Sequence, residues 1–188
     1  MAKRLFIAIN LPEDVKAGLA DYSQKWPDLP AKWTNQDNLH ITLVFIGDTD
    51  EKGIDDIRKA VAEVVKNQKP FSLVLDNISY GPKNIIPPRM VWAKGSSVPG
   101  FSLLCDNLNK KLGKVPGVYF KPEKRENIIH ITLARIREME WRRFELDERP
   151  EVDEYINFEV PVKSIELMES VLKREGPEYM IIESYNLE

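Results

Sequence analysis

The sequence predicts an α+β protein built as two similar lobes facing each other across a cleft. Short apolar strand patterns alternate with amphipathic helical patterns along the chain. One tetrapeptide also occurs twice, as His40-Ile41-Thr42-Leu43 and His130-Ile131-Thr132-Leu133, about half a chain apart. A helical pattern precedes each copy and further strands follow it. At 188 residues the length favours one compact domain, 1–188, composed of two lobes that share a core.

The elements follow in order. Arg4 to Ile9 is a short apolar strand. Leu11-Pro12-Glu13-Asp14 opens a helix, with proline and acids in the first turn. Val15, Leu19, Tyr22 and Trp26 continue it at helical spacing, and the stretch from Pro27 to Pro30 ends it. Ala31 to Thr34 reads as a short strand. Leu39 to Ile46 is a strong strand closed by Gly47-Asp48. Asp50 caps a helix with Ile54, Ile57, Val61, Val64 and Val65 on one face. Phe71 to Ile78 alternates as a strand, Gly81 to Arg89 is a proline-rich loop, and Met90 to Ala93 is another strand. A helix from about Gly100 to Leu112 precedes the second histidine strand, Ile128 to Ile136. Three more strands, Ile156 to Val160, Lys163 to Leu172 and Glu178 to Ser184, are separated by turns at Pro161 and at Gly176-Pro177.

Composition narrows the function. A net charge of −3 argues against a protein that coats long nucleic acid by charge alone. Lys110, Lys111, Lys114, Lys121, Lys124 and Arg125 cluster before the second histidine. Most of them read as a solvated face, with one or two available to touch a phosphate. No apolar run approaches the ~18 residues of a membrane span. The N-terminus lacks the pattern of a signal peptide. The lone Cys105 rules out an intramolecular disulfide and fits a reducing cytoplasm. It sits among Leu103, Leu104 and Leu108, which favours a buried structural thiol over a nucleophile.

The two histidines of the doubled tetrapeptide are the only ones in the chain. Unrelated histidines would share their next three residues roughly once in a thousand times or fewer at ordinary residue frequencies. Residues two apart on a strand share a face, so His40 projects with Thr42 and His130 with Thr132. The alternating Ile and Leu anchor each strand from behind. Two such strands facing each other would surround a small volume with two imidazoles and two hydroxyls. That set suits a phosphodiester: the hydroxyls donate to phosphate oxygens, one neutral imidazole takes a proton from water, and one imidazolium protonates the leaving oxygen. Two histidines and one distant cysteine give little support for zinc. The nucleophile elbow, the dinucleotide fingerprint and the Walker loop are absent from the sequence.

The segment Lys32-Trp33-Thr34, followed by Asn38-Leu39-His40-Ile41-Thr42-Leu43-Val44-Phe45-Ile46-Gly47, resembles the first motif of the two-histidine phosphoesterase superfamily. More narrowly it resembles the RNA 2′,3′-cyclic phosphodiesterases, historically called 2′-5′ RNA ligases. The likeness continues in Arg4-Leu5-Phe6-Ile7-Ala8-Ile9, Pro88-Arg89-Met90-Val91-Trp92-Ala93, His130-Ile131-Thr132-Leu133-Ala134-Arg135 and the Gly176-Pro177-Glu178-Tyr179 hairpin. The resemblance implies a bilobal α+β fold with pseudo-twofold symmetry, antiparallel sheets lining a central cleft and helices outside. It also implies hydrolysis of RNA 2′,3′-cyclic phosphate ends to 2′-phosphates without metal or cofactor, and a weak reversible 2′-5′ joining reaction. His40 and His130 would be catalytic, with Thr42, Thr132 and Arg135 on the phosphate. Strand alternation alone places Arg135 on the opposite face from Thr132, so either the strand bulges or ends before it, or the arginine reaches round; otherwise it is a surface arginine. Phe6, Trp33, Phe45 and Trp92 are aromatic candidates for stacking on a base, each also a core candidate. Phe6 shares parity with Ala8 and Asn10 and is expected to face the cleft. The expected partner is RNA with a cyclic-phosphate end, tRNA halves being one candidate, acted on by a cytoplasmic monomer. The rivals are a 2′-5′ oligonucleotide phosphodiesterase and an RNA-end-binding module without turnover.

Overall fold

The computed structural model describes residues 2–116, 118, 127–174 and 176–188. Nine strands run through them: β1 (Lys3–Asn10), β2 (Ala31–Trp33), β3 (His40–Thr49), β4 (Phe71–Gly81), β5 (Met90–Gly95), β6 (His130–Ile136), β7 (Asp153–Val162), β8 (Ser164–Lys173) and β9 (Gly176–Asn186). The helices are α1 (Glu13–Asp21), α2 (Glu51–Val65), α3 (Pro99–Leu112) and the short α4 (Glu138–Trp141). Two antiparallel sheets result, which makes the fold α+β as expected. The first has the order β3-β1-β8-β9 and the second β2-β6-β5-β4-β7.

The lobes are not the two halves of the chain. The first sheet takes β1 and β3 from the start and β8 and β9 from the end, while β2 is lent to the second sheet. The chain crosses between sheets at Lys163, directly after β7. Pro161 does not end that strand as expected; it lies inside β7 opposite Ser72. β7 is an edge strand, where a missing N–H leaves no ladder bond broken.

β1 reads as a continuous apolar run because it is covered on both faces. Leu5, Ile7 and Ile9 join the main core, while Phe6 and Ala8 pack on the other side with Met168 and Tyr179. Asp50 accepts a hydrogen bond from the Gly53 amide at 2.8 Å and caps α2, a contact that contributes about 1 kcal/mol. Ile54, Ile57, Val61, Val64 and Val65 then turn inward. Pro99 opens α3, which buries Phe101, Leu104, Cys105, Leu108 and Leu112. α2 and α3 pack together, with α3 also against β3. Helix α1 stops five residues short of Trp26, and Tyr22–Gln24 tightens into a 3-10 turn. Trp26 instead stacks on Trp33, with ring centroids 6.4 Å apart.

Cys105 is buried and its thiol is pushed up to about 12, chiefly by burial, which fits a structural role. No described helix is long and apolar enough to cross a membrane.

Candidate active site

Each histidine opens a motif strand, and β3 lies against β6. The two strands share one construction. In both, the residue after His is buried, the Thr is half-exposed, and the next two residues are buried together: Leu43 and Val44 in β3, Leu133 and Ala134 in β6. That doubling is a bulge. Opposite β3, Ile7 pairs with Val44 and Ala8 with Thr42, so Leu43 has no partner of its own. Opposite β6, Val91 pairs with Ala134 and Trp92 with Thr132, so Leu133 is the extra residue. One extra residue reverses the side-chain parity of everything after it.

The bulge resolves the parity of Arg135. It projects on the same face as His130 and Thr132, in a row with Met90 of β5 and Lys32 of β2. The corresponding position in β3 is Phe45, which is 60% exposed. One motif therefore carries a guanidinium where the other carries an aromatic ring.

The imidazoles are oriented alike. His40 Nδ1 lies 2.7 Å from the Asn38 carbonyl oxygen, and His130 Nδ1 lies 2.9 Å from that of Ile128. A carbonyl only accepts, so Nδ1 carries hydrogen in both rings and donates it. This leaves each Nε2 as the nitrogen with the lone pair, able to accept a proton or, once protonated, to give it up. His40 Nε2 is 3.0 Å from Thr42 Oγ1. Thr132 Oγ1 is 3.8 Å from the Met90 sulfur.

The surroundings of the two rings differ. His40 packs against Phe6 and edge-on against Tyr179, each centroid 5.0 Å away. Burial holds the imidazole below its ordinary value of 6.5, the Asn38 carbonyl pulls it back, and the charges of His130 and Lys16 lower it further. Lys16 is itself buried, its Nζ donating to Glu13 Oε1 at 3.0 Å. The Tyr179 phenol is raised by burial, and the charge of Arg135 draws it partly back. Arg135 on one sheet thus acts on a ring that touches His40 on the other.

His130 rests on Trp92, with centroids 4.3 Å apart. The indole lies over Gly81, where a Cβ would sit 2.2 Å from Trp92 Cδ2. Gly81→Ala is therefore expected to push the indole into His130, lowering stability by about 1–3 kcal/mol. Thermal unfolding and turnover measured together check this; wild-type behaviour in both would show that Trp92 does not depend on the gap.

Several expectations need correction or completion. Phe6 does not offer a face to substrate: it is 3% exposed, covered by His40, Tyr179 and Met168, and supports the His40 ring from beneath. Trp33 packs behind the second sheet against Trp26, because its neighbour Lys32 takes the face shared with Arg135. Lys110, Lys111 and Lys114 line a groove of about 300 Å³ between α2 and α3 that neither histidine lines, where Lys111 pairs with Glu63. Lys121, Lys124 and Arg125 lie outside the described residues. Tyr179 and Lys16 were not singled out from the sequence as site residues. Tyr179 is brought in by the β8–β9 hairpin, where Gly176 adopts φ +135° and the Pro177 carbonyl accepts from the Asn38 amide at 2.8 Å. Among the described residues, no three His, Cys, Asp or Glu side chains gather as metal ligands.

Two imidazoles on matched, bulged strands, one in each antiparallel sheet, fit the layout expected of a two-histidine phosphoesterase. Residues 9–92 match the family described as LigT like Phosphoesterase. The RNA 2′,3′-cyclic phosphodiesterase of Thermus thermophilus is 31% identical, over 98% of this chain and 90% of that protein. The one from Methanocaldococcus jannaschii is 29% identical, over 97% and 99%. A crystal structure from Thermus thermophilus, TT0787, superposes with a TM-score of 0.79 at 30% identity, covering 98% of this chain and 97% of that one. Escherichia coli LigT complexed with 3′-AMP shares the fold at a TM-score of 0.78 and 23% identity, covering 100% and 99%. The chain belongs to the LigT-like phosphoesterase family, among the two-histidine phosphoesterases.

Proposed function

We propose that this protein hydrolyses 2′,3′-cyclic phosphates at RNA ends, with His40 and His130 as the acid–base pair. The observation that carries the reading is the matched orientation of the rings, each Nδ1 tied to a carbonyl two residues back and each Nε2 left for proton transfer. One Nε2 accepts a proton from the attacking water as its oxygen bonds to phosphorus. The bond from phosphorus to O3′ breaks, and the other Nε2–H delivers its proton to O3′. The products are a 2′-phosphate and a 3′-hydroxyl, and the pair ends with its proton exchanged between rings. Arg135, Thr42 and Thr132 donate to the phosphate oxygens as charge accumulates there. Exposed Phe45, at the place that mirrors Arg135, offers a face to the terminal base.

The two proton transfers need no metal, and water is the only co-reactant. With the 5′-hydroxyl of another RNA in place of water, the same geometry runs a 2′-5′ joining reaction, reversible because acid and base simply trade roles. The reading includes a cytoplasmic monomer, with tRNA halves among its candidate substrates. The test is incubation of a cyclic-phosphate-ended oligoribonucleotide in the presence of a chelator. A 2′-phosphate product is expected; a 3′-phosphate, or dependence on added metal, would contradict the reading.

A further inference from the structure

A cyclic phosphate occupies the 3′ end of its RNA, so the strand leaves the site in one direction only, toward its 5′ side. Some surface next to the histidines has to receive it. The open face of the second sheet offers a continuous row that starts at His130. Lys94 of β5 stands directly opposite His130, Asn77 of β4 opposite Lys94, and Tyr155 of β7 opposite Asn77. The register shift at Asp76, between Leu75 and Asn77, turns Asn77 onto this face. At ~4.8 Å per strand, Tyr155 lies about 14 Å from His130.

The row has the chemistry of single-strand recognition: a cation for a phosphate, an amide, and an aromatic ring for a base. Tyr155 is 91% exposed, far more than packing on the sheet requires. Lys94 is crowded by a second cation: burial lowers its ammonium first and the charge of Lys83 next, while Asp153 and Asp76 pull the other way. Both acids are engaged. Asp153 accepts from the Asn77 amide at 2.8 Å, and Asp76 from the Ser96 hydroxyl at 2.9 Å. With a net charge of −3, binding of RNA must rest on such local features rather than on a general basic surface.

We propose that this row is the track for the RNA strand upstream of the cyclic end, with Lys94 on the first upstream phosphate and Tyr155 stacking an upstream base. It rests on the RNA-end reading above, and it adds a preference: the enzyme distinguishes an oligonucleotide from a lone cyclic nucleotide through this face.

The experiment compares kcat/KM for cytidine 2′,3′-cyclic phosphate with that for a short oligoribonucleotide ending in the same group. The wild type is expected to favour the oligonucleotide by tenfold or more. Tyr155→Ala should lower that preference about tenfold, the usual effect of losing one stacked base, and Tyr155→Phe should keep it. Lys94→Gln should reduce the slope of log kcat/KM against log salt by about 0.7 for the oligonucleotide, as expected for one lost contact to a single-strand phosphate. A wild type without preference overturns the track, and so does a preference that survives both Tyr155→Ala and Lys94→Gln. An equal loss on both substrates overturns it too, by showing general damage to the site. Failure of the wild type to turn over either substrate would overturn the RNA-end reading itself, a distinguishable result.

Discussion

His130→Ala is expected to lose about a thousandfold in kcat, with KM little changed and the thermal midpoint near that of the wild type. A positioned general acid or base typically contributes 10²–10⁴-fold, about 3–5 kcal/mol of barrier. His130 is half-exposed and its Nδ1 donates to the Ile128 carbonyl, so its removal opens no large cavity. His40→Ala should lose a similar factor in rate and also some stability, because that ring fills the space among Phe6, Tyr179 and Thr42. The double variant should be little worse than either single one, since acid and base act as a unit. A single variant that kept a third of wild-type turnover would sink the paired mechanism, while multiplied losses in the double variant would mean the two rings work independently.

Arg135→Ala carries the second large effect, a loss of about 10²–10³-fold in kcat from removing a donor to the charge that builds on the phosphate oxygens. The residue is exposed and lies after the β6 bulge, so the fold should tolerate the change. Arg135→Lys should recover only part of the rate, because an ammonium cannot grip two oxygens as a guanidinium does. Arg137 serves as the control. It is a surface arginine two residues on, paired with Glu140, and its alanine variant should turn over normally. Equal behaviour of the Arg135 and Arg137 variants would return Arg135 to the surface and leave the phosphate without its main counter-charge.

Much of this site was legible in the sequence. The doubled His-Ile-Thr-Leu fixed which residues share a face, because strand parity is a local rule. A bulge before Arg135 was one of the alternatives its parity left open, and the structure selects it. Both motifs break their alternation with two apolar residues in succession, Leu43-Val44 and Leu133-Ala134. That break moves Phe45 and Arg135 onto the working face. What was hidden depends on contacts distant in the chain. Phe6 does face the same side as Ala8, as its parity required, yet Tyr179 and His40 cover it, and a residue 173 positions later is invisible to periodicity. Lys16 lies outside the apolar spacing of α1, yet packing buries it, and its charge is among those that lower His40. The exchange of strands between sheets was equally out of reach. The duplication suggests halves, whereas the sheets are joined by which edges pair, and β2 finds its partner in β6 rather than beside β1.

The sharpest test of the paired imidazoles is the dependence of kcat/KM on pH in the wild type and in each histidine variant. The wild type should give a bell, since activity needs one proton shared between two rings. Its acidic limb should fall below the ordinary imidazole value of 6.5. Burial of His40 and the charges of His130 and Lys16 oppose the second proton, so the singly protonated pair persists to lower pH. His40→Ala and His130→Ala should each lose one limb, and opposite ones. A wild-type rate that climbs steadily with pH, or two variants that both retain the full bell, would contradict the assignment of these histidines as acid and base.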